Sequence, residues 1–380
     1  MAGGPAFAEE LKRCWDDGDA VLPLDTRLSG AALERVVEAM RPSLVVDSPG
    51  KVSSLARGEP VTDGDALVVA TSGTTGEQKG VVLTHGAVRA SALATSARLG
   101  ADPSRDRWLA CLPLAHVGGL SVVTRAMVTG TPVEIQPRFS PSGAREAATE
   151  RGATLVSLVP AALGRLGADG AAVFRVVVLG GQQPPAELPG NTVTTYGMTE
   201  TGSGVVYDGL ALDGVEVRLV GDEVQLRCPM LLRCYRDGSD PKTPEGWYPT
   251  GDAGELGADG RLFIKGRLDD VVISGGENIW PAQVESVIGA HPAVSEVAVA
   301  GAADPEWGTR VVAYIVASDT HRSVEVASLL SELRELVKGE LASFAAPREL
   351  VLVTSLPRSP IGKVNRTALE ALEGPRALAG

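Results

Sequence analysis

The sequence predicts an α/β fold: a large N-terminal domain of parallel αβ layers with a small β-barrel-like part, then a small α+β C-terminal domain. Three observations predict it. Up to about residue 205, apolar strand-like runs alternate with amphipathic helical runs, the pattern of βαβ units around a buried parallel sheet. Beyond that, apolar and polar residues alternate singly between Gly-Asp and Asp-Gly turns, as in antiparallel hairpins. From Asp269 helical and strand-like runs return over a length sufficient for a second core. The division expected is 1–268 and 269–380.

Each element has its own signal. AALERVVEAM (31–40) has helical spacing, and RPSLVVD is a short strand ending at a Pro-Gly turn. DALVVATSG is a strand entering a Gly-rich loop, and THGAVRASALATSARLG is a helix capped by Thr84. WLACLPLAH is a strand, and SVVTRAMVTG a helix stopped by Gly130. TPVEIQP, ATLVSLVP and FRVVVLGG are strands separated by the helices SPSGAREAATERG and PAALGRLG. GVEVRLVGDEVQLRC and GELGADGRLFIKGR read as hairpins turning at Gly221-Asp222 and Asp259-Gly260. Then come the strand DVVIS, a Gly-Gly turn, the helix PAQVESVIGAH and the paired strands VSEVAVAGA and RVVAYIVA. The helix VEVASLLSELRELVKGELA and the strand RELVLVTSLP close the pattern. The link GRLDD is too short for a tether and reads as a hinge.

Composition narrows the class. Of 380 residues, 35 Lys and Arg face 47 Asp and Glu, a net charge of −12, and no basic run is present. That excludes a nucleic-acid or anionic-membrane partner, both of which need clustered cations. The 44% hydrophobic content is that of a globular chain. Cys14, Cys111, Cys228 and Cys234 lack zinc-site spacing and read as reduced thiols. No apolar run approaches the ~18 residues of a membrane span, so no stable membrane insertion is expected. No signal peptide is read at the N-terminus. A cytoplasmic protein is expected.

The segment richest in chemistry is TSGTTGEQKG (71–80). Thr71, Ser72, Thr74 and Thr75 interleave with Gly73 and Gly76, and Lys79 closes the run. Glycines let backbone N–H groups converge, and hydroxyls and a lysine add donors, which together make a phosphate cradle. A solvated turn is the plainer alternative. It is not a Walker A loop, because Lys79 follows Gln78 and precedes Gly80.

This string resembles the phosphate-binding loop of the adenylate-forming superfamily: acyl-CoA synthetases, peptide-synthetase adenylation domains and luciferases. Further blocks resemble that family in order: LPLAHVGG (112–119), LGGQQP (179–184), TYGMTET (195–201), GWYPTGDAGEL (246–256), GRLDDVVISGGENIWP (266–281) and PRSPIGKVNR (357–366). The resemblance implies ATP, Mg²⁺ and coenzyme A as reactants or cofactors. It implies that Gly180, Gly181 and Gln182 line the adenine and acyl pocket and that Tyr196 and Gly197 adjoin the purine. Thr199 would donate to a phosphate, and Glu200 would offer a hard oxygen to the metal. Asp252 would accept from ribose hydroxyls, with Arg267 on ribose or phosphate. Lys363 would bridge the attacking carboxylate and the phosphoryl oxygens. Asp269 matches the hinge of a mobile C-terminal lid. Ser274, Gly275, Gly276, Glu277 and Asn278 match the loop that then faces CoA. By the same resemblance the chain looks shortened at its N-terminus, leaving an apolar face that a homodimer partner could cover.

The substrate must be read from the acyl side. His116 matches the family's aromatic–His gate, but Ala115 stands where Phe or Tyr is usual, which implies a wider or differently closed pocket. Arg125 interrupts the apolar run HVGGLSVVTRAM. It either forms a structural ion pair or faces a second substrate carboxylate, which a guanidinium holds bidentately. Thr201 and Ser203 are weaker hydrogen-bonding candidates. HVGGLSVVTRAM, VVVLGGQQPPAEL and VISGGENIWPAQVE most resemble the branch that activates an aromatic acid with two carboxylates. Another aryl or medium-chain acyl-CoA synthetase, or an adenylation domain loading a carrier protein, is the alternative.

Overall fold

A computed structural model describes residues 3–72, 78–185, 187–318, 321, 325–358 and 364–379. Among them run eight α-helices: α1 (Pro5–Asp16), α2 (Gly30–Met40), α3 (His85–Leu99), α4 (Val117–Thr129), α5 (Pro141–Thr149), α6 (Pro160–Ala171), α7 (Pro281–Gly289) and α8 (Val326–Glu340). The expected caps are present. Thr84 Oγ1 accepts from Ala87 N at the start of α3, and Gly130 takes the left-handed conformation that ends α4.

The central sheet has seven strands. Across it lie Leu210–Ala211, Ser203–Tyr207, Thr192–Met198, Val176–Leu179, Leu155–Leu158, Trp108–Ala110 and Val133–Ile135. The last five pair in parallel, joined through α4, α5 and α6 as the alternating pattern predicts. The first two add antiparallel. These short parallel strands are buried on both faces: Leu155, Val156, Val177 and Leu109 are wholly enclosed, each such side chain contributing about 1.5–3 kcal/mol by leaving water.

The Gly-rich segment departs from the expected strand–loop–helix unit. Asp65–Ser72 folds back antiparallel on Gln78–Thr84, which in turn pairs with the two-residue strand Cys234–Tyr235. The loop therefore joins two strands of a separate three-stranded sheet. The hairpins expected after residue 205 form an open four-stranded sheet ordered Glu216–Val220, Glu223–Arg227, Tyr248–Leu256, Leu262–Arg267.

From Val272 onward the residues build their own core. Val284, Ile288, Ala313, Ile315, Leu329 and Leu333 are buried together. α7 and α8 pack on a sheet ordered Val294–Asp304, Gly308–Ala317, Glu349–Val353, Arg376–Leu378. The hairpin Val272–Ser274 with Glu277–Ile279 turns at Gly275 and Gly276, both with positive φ, as the Gly-Gly pair predicts. No helix is long and apolar enough to cross a membrane among the described residues.

Candidate active site

Parallel sheets place ligands beyond the carboxyl ends of their strands, and two of the recognised segments lie there. Val176–Leu179 ends in Gly180-Gly181-Gln182, and Thr192–Met198 ends in the 3₁₀ turn Thr199–Thr201. A Cβ on Gly180 would fall inside 3.0 Å of Thr195 Oγ1, so only glycine lets these two segments touch. Gly197 is constrained likewise, facing the backbone of Ser203 and Gly204 across the hairpin. Gly181 and Gln182 are exposed.

Tyr196, Asp252 and Arg267 come from three strands and meet as one cluster. The Tyr196 hydroxyl donates to Asp252 Oδ2 at 2.7 Å, and Arg267 Nη1 donates to Asp252 Oδ1 at 3.1 Å and to the Thr250 carbonyl at 2.8 Å. Asp252 and Arg267 stand opposite each other in the ladder. Gly251 has φ +69°, and a Cβ there would lie 2.7 Å from Arg267 Nη2. Burial, then the Asp252 charge, push the Tyr196 phenol far up, so it is a neutral donor. Burial works against the Arg267 cation, but Asp252 and Asp269 outweigh it and its pKa is raised. The pair is a preformed polar ledge with its carboxylate fixed in orientation.

A second cluster surrounds Glu200. Its Oε1 accepts from the Tyr235 hydroxyl at 3.0 Å, and Tyr248 Oη lies 3.4 Å from Tyr235 Oη. Lys79 Nζ sits 5.1 Å above the Tyr235 ring, a cation–π contact. Burial and then Glu200 push the Tyr235 phenol up to about 12. No group of three or more His, Cys, Asp or Glu that could hold a metal occurs among the described residues. One carboxylate with an uncommitted oxygen suits Mg²⁺, which keeps several waters and takes substrate phosphates. Thr71 Oγ1 donates to the Lys79 carbonyl at 3.4 Å, and Ser72 pairs with Gln78 in the ladder. Gly73, Thr74, Thr75 and Gly76 lie outside the described residues, as does Lys363.

On the acyl side, His116 precedes α4, and its carbonyl accepts from Gly119 and Leu120. His116 Nε2 is 3.6 Å from Asp25 Oδ2. Asp25 is gripped by the Arg27 guanidinium at 2.8 and 2.6 Å, and this hydrogen bonding holds its carboxyl below the usual range. Arg125 is 2% exposed and donates from Nη2 to Ser203 Oγ at 3.1 Å. Its guanidinium carbon lies 4.8 Å from the centre of the Trp108 ring. No carboxylate pairs with it among the described residues, so the structural ion pair weighed for it is not what the fold contains; burial pushes its pKa down. Thr201 corrects the sequence reading. It is fully buried, and its hydroxyl accepts from Met198 N and contacts the Met198 and Ser203 carbonyls, holding the turn rather than facing a pocket. A narrow cavity of about 10 Å³, room for about one water, lies between α3 and α4 beside Ser91, Ser121, Thr124 and Gly202.

Asp269 is exposed in the 3₁₀ turn Leu268–Asp270, with Oδ2 3.7 Å from Arg267 Nη2. Ser274 is buried while Glu277 and Asn278 are exposed at the Gly-Gly hairpin, and Gly275 N donates to the Trp307 carbonyl at 3.1 Å. Arg358 and Val364, which flank Lys363 in sequence, form an antiparallel bridge. Arg366 then ties this part of the chain to Asp270 at 3.2 Å and to Glu285 of α7 at 2.5 and 3.0 Å. Asp25, Trp108, Tyr235 and Tyr248 escaped sequence reasoning as site residues. Only Tyr248 and Trp108 carried a signal, within or just before a recognised block.

Comparison with known proteins bears on the family and the fold. Residues 47–229 match the AMP-binding enzyme family and residues 283–363 the AMP-binding enzyme C-terminal domain. A probable 2-succinylbenzoate–CoA ligase of Mycobacterium tuberculosis is 40% identical over 371 residues, covering 90% of this chain and 94% of that one. The o-succinylbenzoate-CoA synthetase of Bacillus subtilis, solved with the acyl-adenylate intermediate, is 30% identical, with TM-score 0.78, over 96% of this chain and 81% of that one. The same enzyme solved with ATP and a magnesium ion gives TM-score 0.76 at 30% identity, over 95% and 81%. With this fold and these two matched regions, the chain belongs to the AMP-binding enzyme family.

Proposed function

We propose that the chain is an ATP-dependent 2-succinylbenzoate–CoA ligase. The acid's carboxylate oxygen attacks the α-phosphorus of ATP and expels pyrophosphate. The CoA sulfur then attacks the acyl carbonyl, loses its proton, and releases AMP as the thioester forms. Glu200 would hold a Mg²⁺ ion, which would supply charge neutralisation on the phosphate oxygens. Asp252 and Arg267 hold the ribose, with Tyr196 stacked on the purine. Lys79 and Lys363 supply positive charge where phosphoryl charge develops. His116 borders the activated carboxylate, and Arg125 with Ser203 holds the other one. The lid comprises 269–380 with its hinge at Asp269, and the Gly275-Gly276 hairpin faces CoA after rotation. We place the protein in the cytoplasm, where ATP and CoA are supplied.

The observation that carries the substrate choice is the buried Arg125 with no carboxylate of its own among the described residues. Two donors on a planar guanidinium meet a carboxylate bidentately, and leaving them unmet is what a monoacid would do. The test is ATP-, Mg²⁺- and CoA-dependent turnover of 2-succinylbenzoate against benzoate and octanoate. The diacid should be turned over with much the highest kcat/KM, and Arg125→Ala should raise its KM at least ~10-fold while KM for ATP stays within twofold. Equal effects on acid and ATP would sink the second-carboxylate role. Pyrophosphate exchange without CoA turnover would point to carrier loading.

A further inference from the structure

Arg125 poses an electrostatic problem. A guanidinium enclosed by protein normally has a carboxylate beside it, because an unpaired buried charge is costly. Here the hydroxyl of Ser203 takes one N–H, and Arg125 Nε and Nη1 have no acceptor among the described residues. The group that lies against the cation is the fully buried Trp108 ring, 4.8 Å away at the head of Trp108–Ala110. Trp108 Nε1 is itself buried without an acceptor. The site is thus rich in donors and poor in acceptors, with an indole face where an anion would ordinarily be. An aromatic face attracts a cation without forming hydrogen bonds to it, so it compensates charge yet leaves the N–H groups unspent.

We propose that Trp108 is a positioning residue that stands in for the missing counter-ion of Arg125, keeping the guanidinium folded into the core but unneutralised, so that the second carboxylate of the diacid becomes its first true ion-pair partner. A protein carboxylate in that place would compete with the substrate. A plain aliphatic residue would leave the cation uncompensated. The inference rests on the acyl-side role proposed for Arg125 and adds the ring that makes the role possible.

Two sets of variants test it. Ser203→Asp supplies an internal carboxylate. It should raise the melting temperature of the ligand-free protein while raising KM for 2-succinylbenzoate by ~100-fold, with ATP affinity by calorimetry unchanged. A merely structural site would not move stability and acid affinity in opposite directions. Trp108→Phe keeps a ring face and Trp108→Leu does not. The leucine variant should raise KM for the diacid about tenfold at nearly constant kcat, with the phenylalanine variant within about threefold of the parent. Should Trp108→Leu fail to fold alone, folding recovered in the Trp108→Leu/Ser203→Asp double variant supports the counter-charge role. Equal losses in the leucine and phenylalanine variants, no recovery in the double variant, or a Ser203→Asp protein that is less stable than the parent overturns it. If Arg125→Ala leaves diacid KM untouched, the parent reading fails instead, which separates the two.

Discussion

Tyr235 donates to one oxygen of Glu200 while its ring underlies Lys79, so one side chain touches both the carboxylate proposed above for the metal and the cation proposed for the phosphates. Removing its hydroxyl should free Glu200 to swing. Tyr235→Phe is expected to weaken binding of Mn²⁺ with ATP, followed by electron paramagnetic resonance, by about tenfold, since a hydrogen bond to a charged group contributes roughly 1.5–3 kcal/mol. KM for the acid should stay put; an equal rise there would assign the loss to general misfolding. At this scale Tyr196, Glu200, Asp252 and Arg267 were legible because each sits in a recognisable block. Tyr235, Trp108 and Asp25 were not, because their meaning lies in what they touch across the fold. Asp25 is 91 positions from His116 in sequence and Tyr235 is 35 from Glu200, and no spacing rule spans such gaps.

At the level of elements, two glycines give opposite expectations. Gly197 lies where the strands Thr192–Met198 and Ser203–Tyr207 cross too closely for any side chain. Gly197→Ala should lower stability by about 1–3 kcal/mol through overpacking, read as a lower denaturation midpoint. Gly164 in α6 has open space around its Cβ position, so Gly164→Ala should gain up to about 1 kcal/mol. If the two behave alike, backbone crowding is not what fixes Gly197. Element types were largely readable from periodicity and caps, as Thr84 and Gly130 illustrate. Pairing was less so. Gln78–Thr84 hid between a Gly-rich loop and a helix cap, and its other neighbour is a two-residue strand about 150 positions later, too short to announce itself. α1 was also missed; it opens at Gly4-Pro5 with no capping side chain to announce it.

Across the whole molecule, acidic groups set the pH response. Arg27 holds Asp25 below the usual range. Burial works against ionisation of Asp106, but Arg175, the Asp102 N–H and Thr154 overcome it, and Glu134 is lowered in the same way by Arg151 and Gln136. A carboxylate with a lowered folded pKa contributes its stability above its unfolded value and loses it as pH falls through the folded one. The melting temperature should therefore be flat from pH 7 to about 5 and fall below about 4. Asp106→Asn should flatten that fall, measured by calorimetry against pH; an unchanged slope would remove Asp106 from the account. The net charge of −12 was plain from composition. What composition concealed is where the cations go: Lys79 and Arg125 each face an aromatic ring, and Arg267 faces Asp252 and Asp269.

Arg366 couples segments that the chemistry would use at different times. Through Asp270, Glu285 and the Val299 carbonyl it fastens the residues that follow Lys363 to the turn after Asp269 and to α7, whose part of the fold also carries the Gly275-Gly276 hairpin. Under the hinge reading proposed above, the residues that follow Lys363 and the hairpin would then turn together. On that proposal a turn that carried the lysine toward the reacting atoms would carry the hairpin away, and the order of acyl activation and thiol capture would follow from the geometry of one moving part rather than from relative affinities for ATP and CoA.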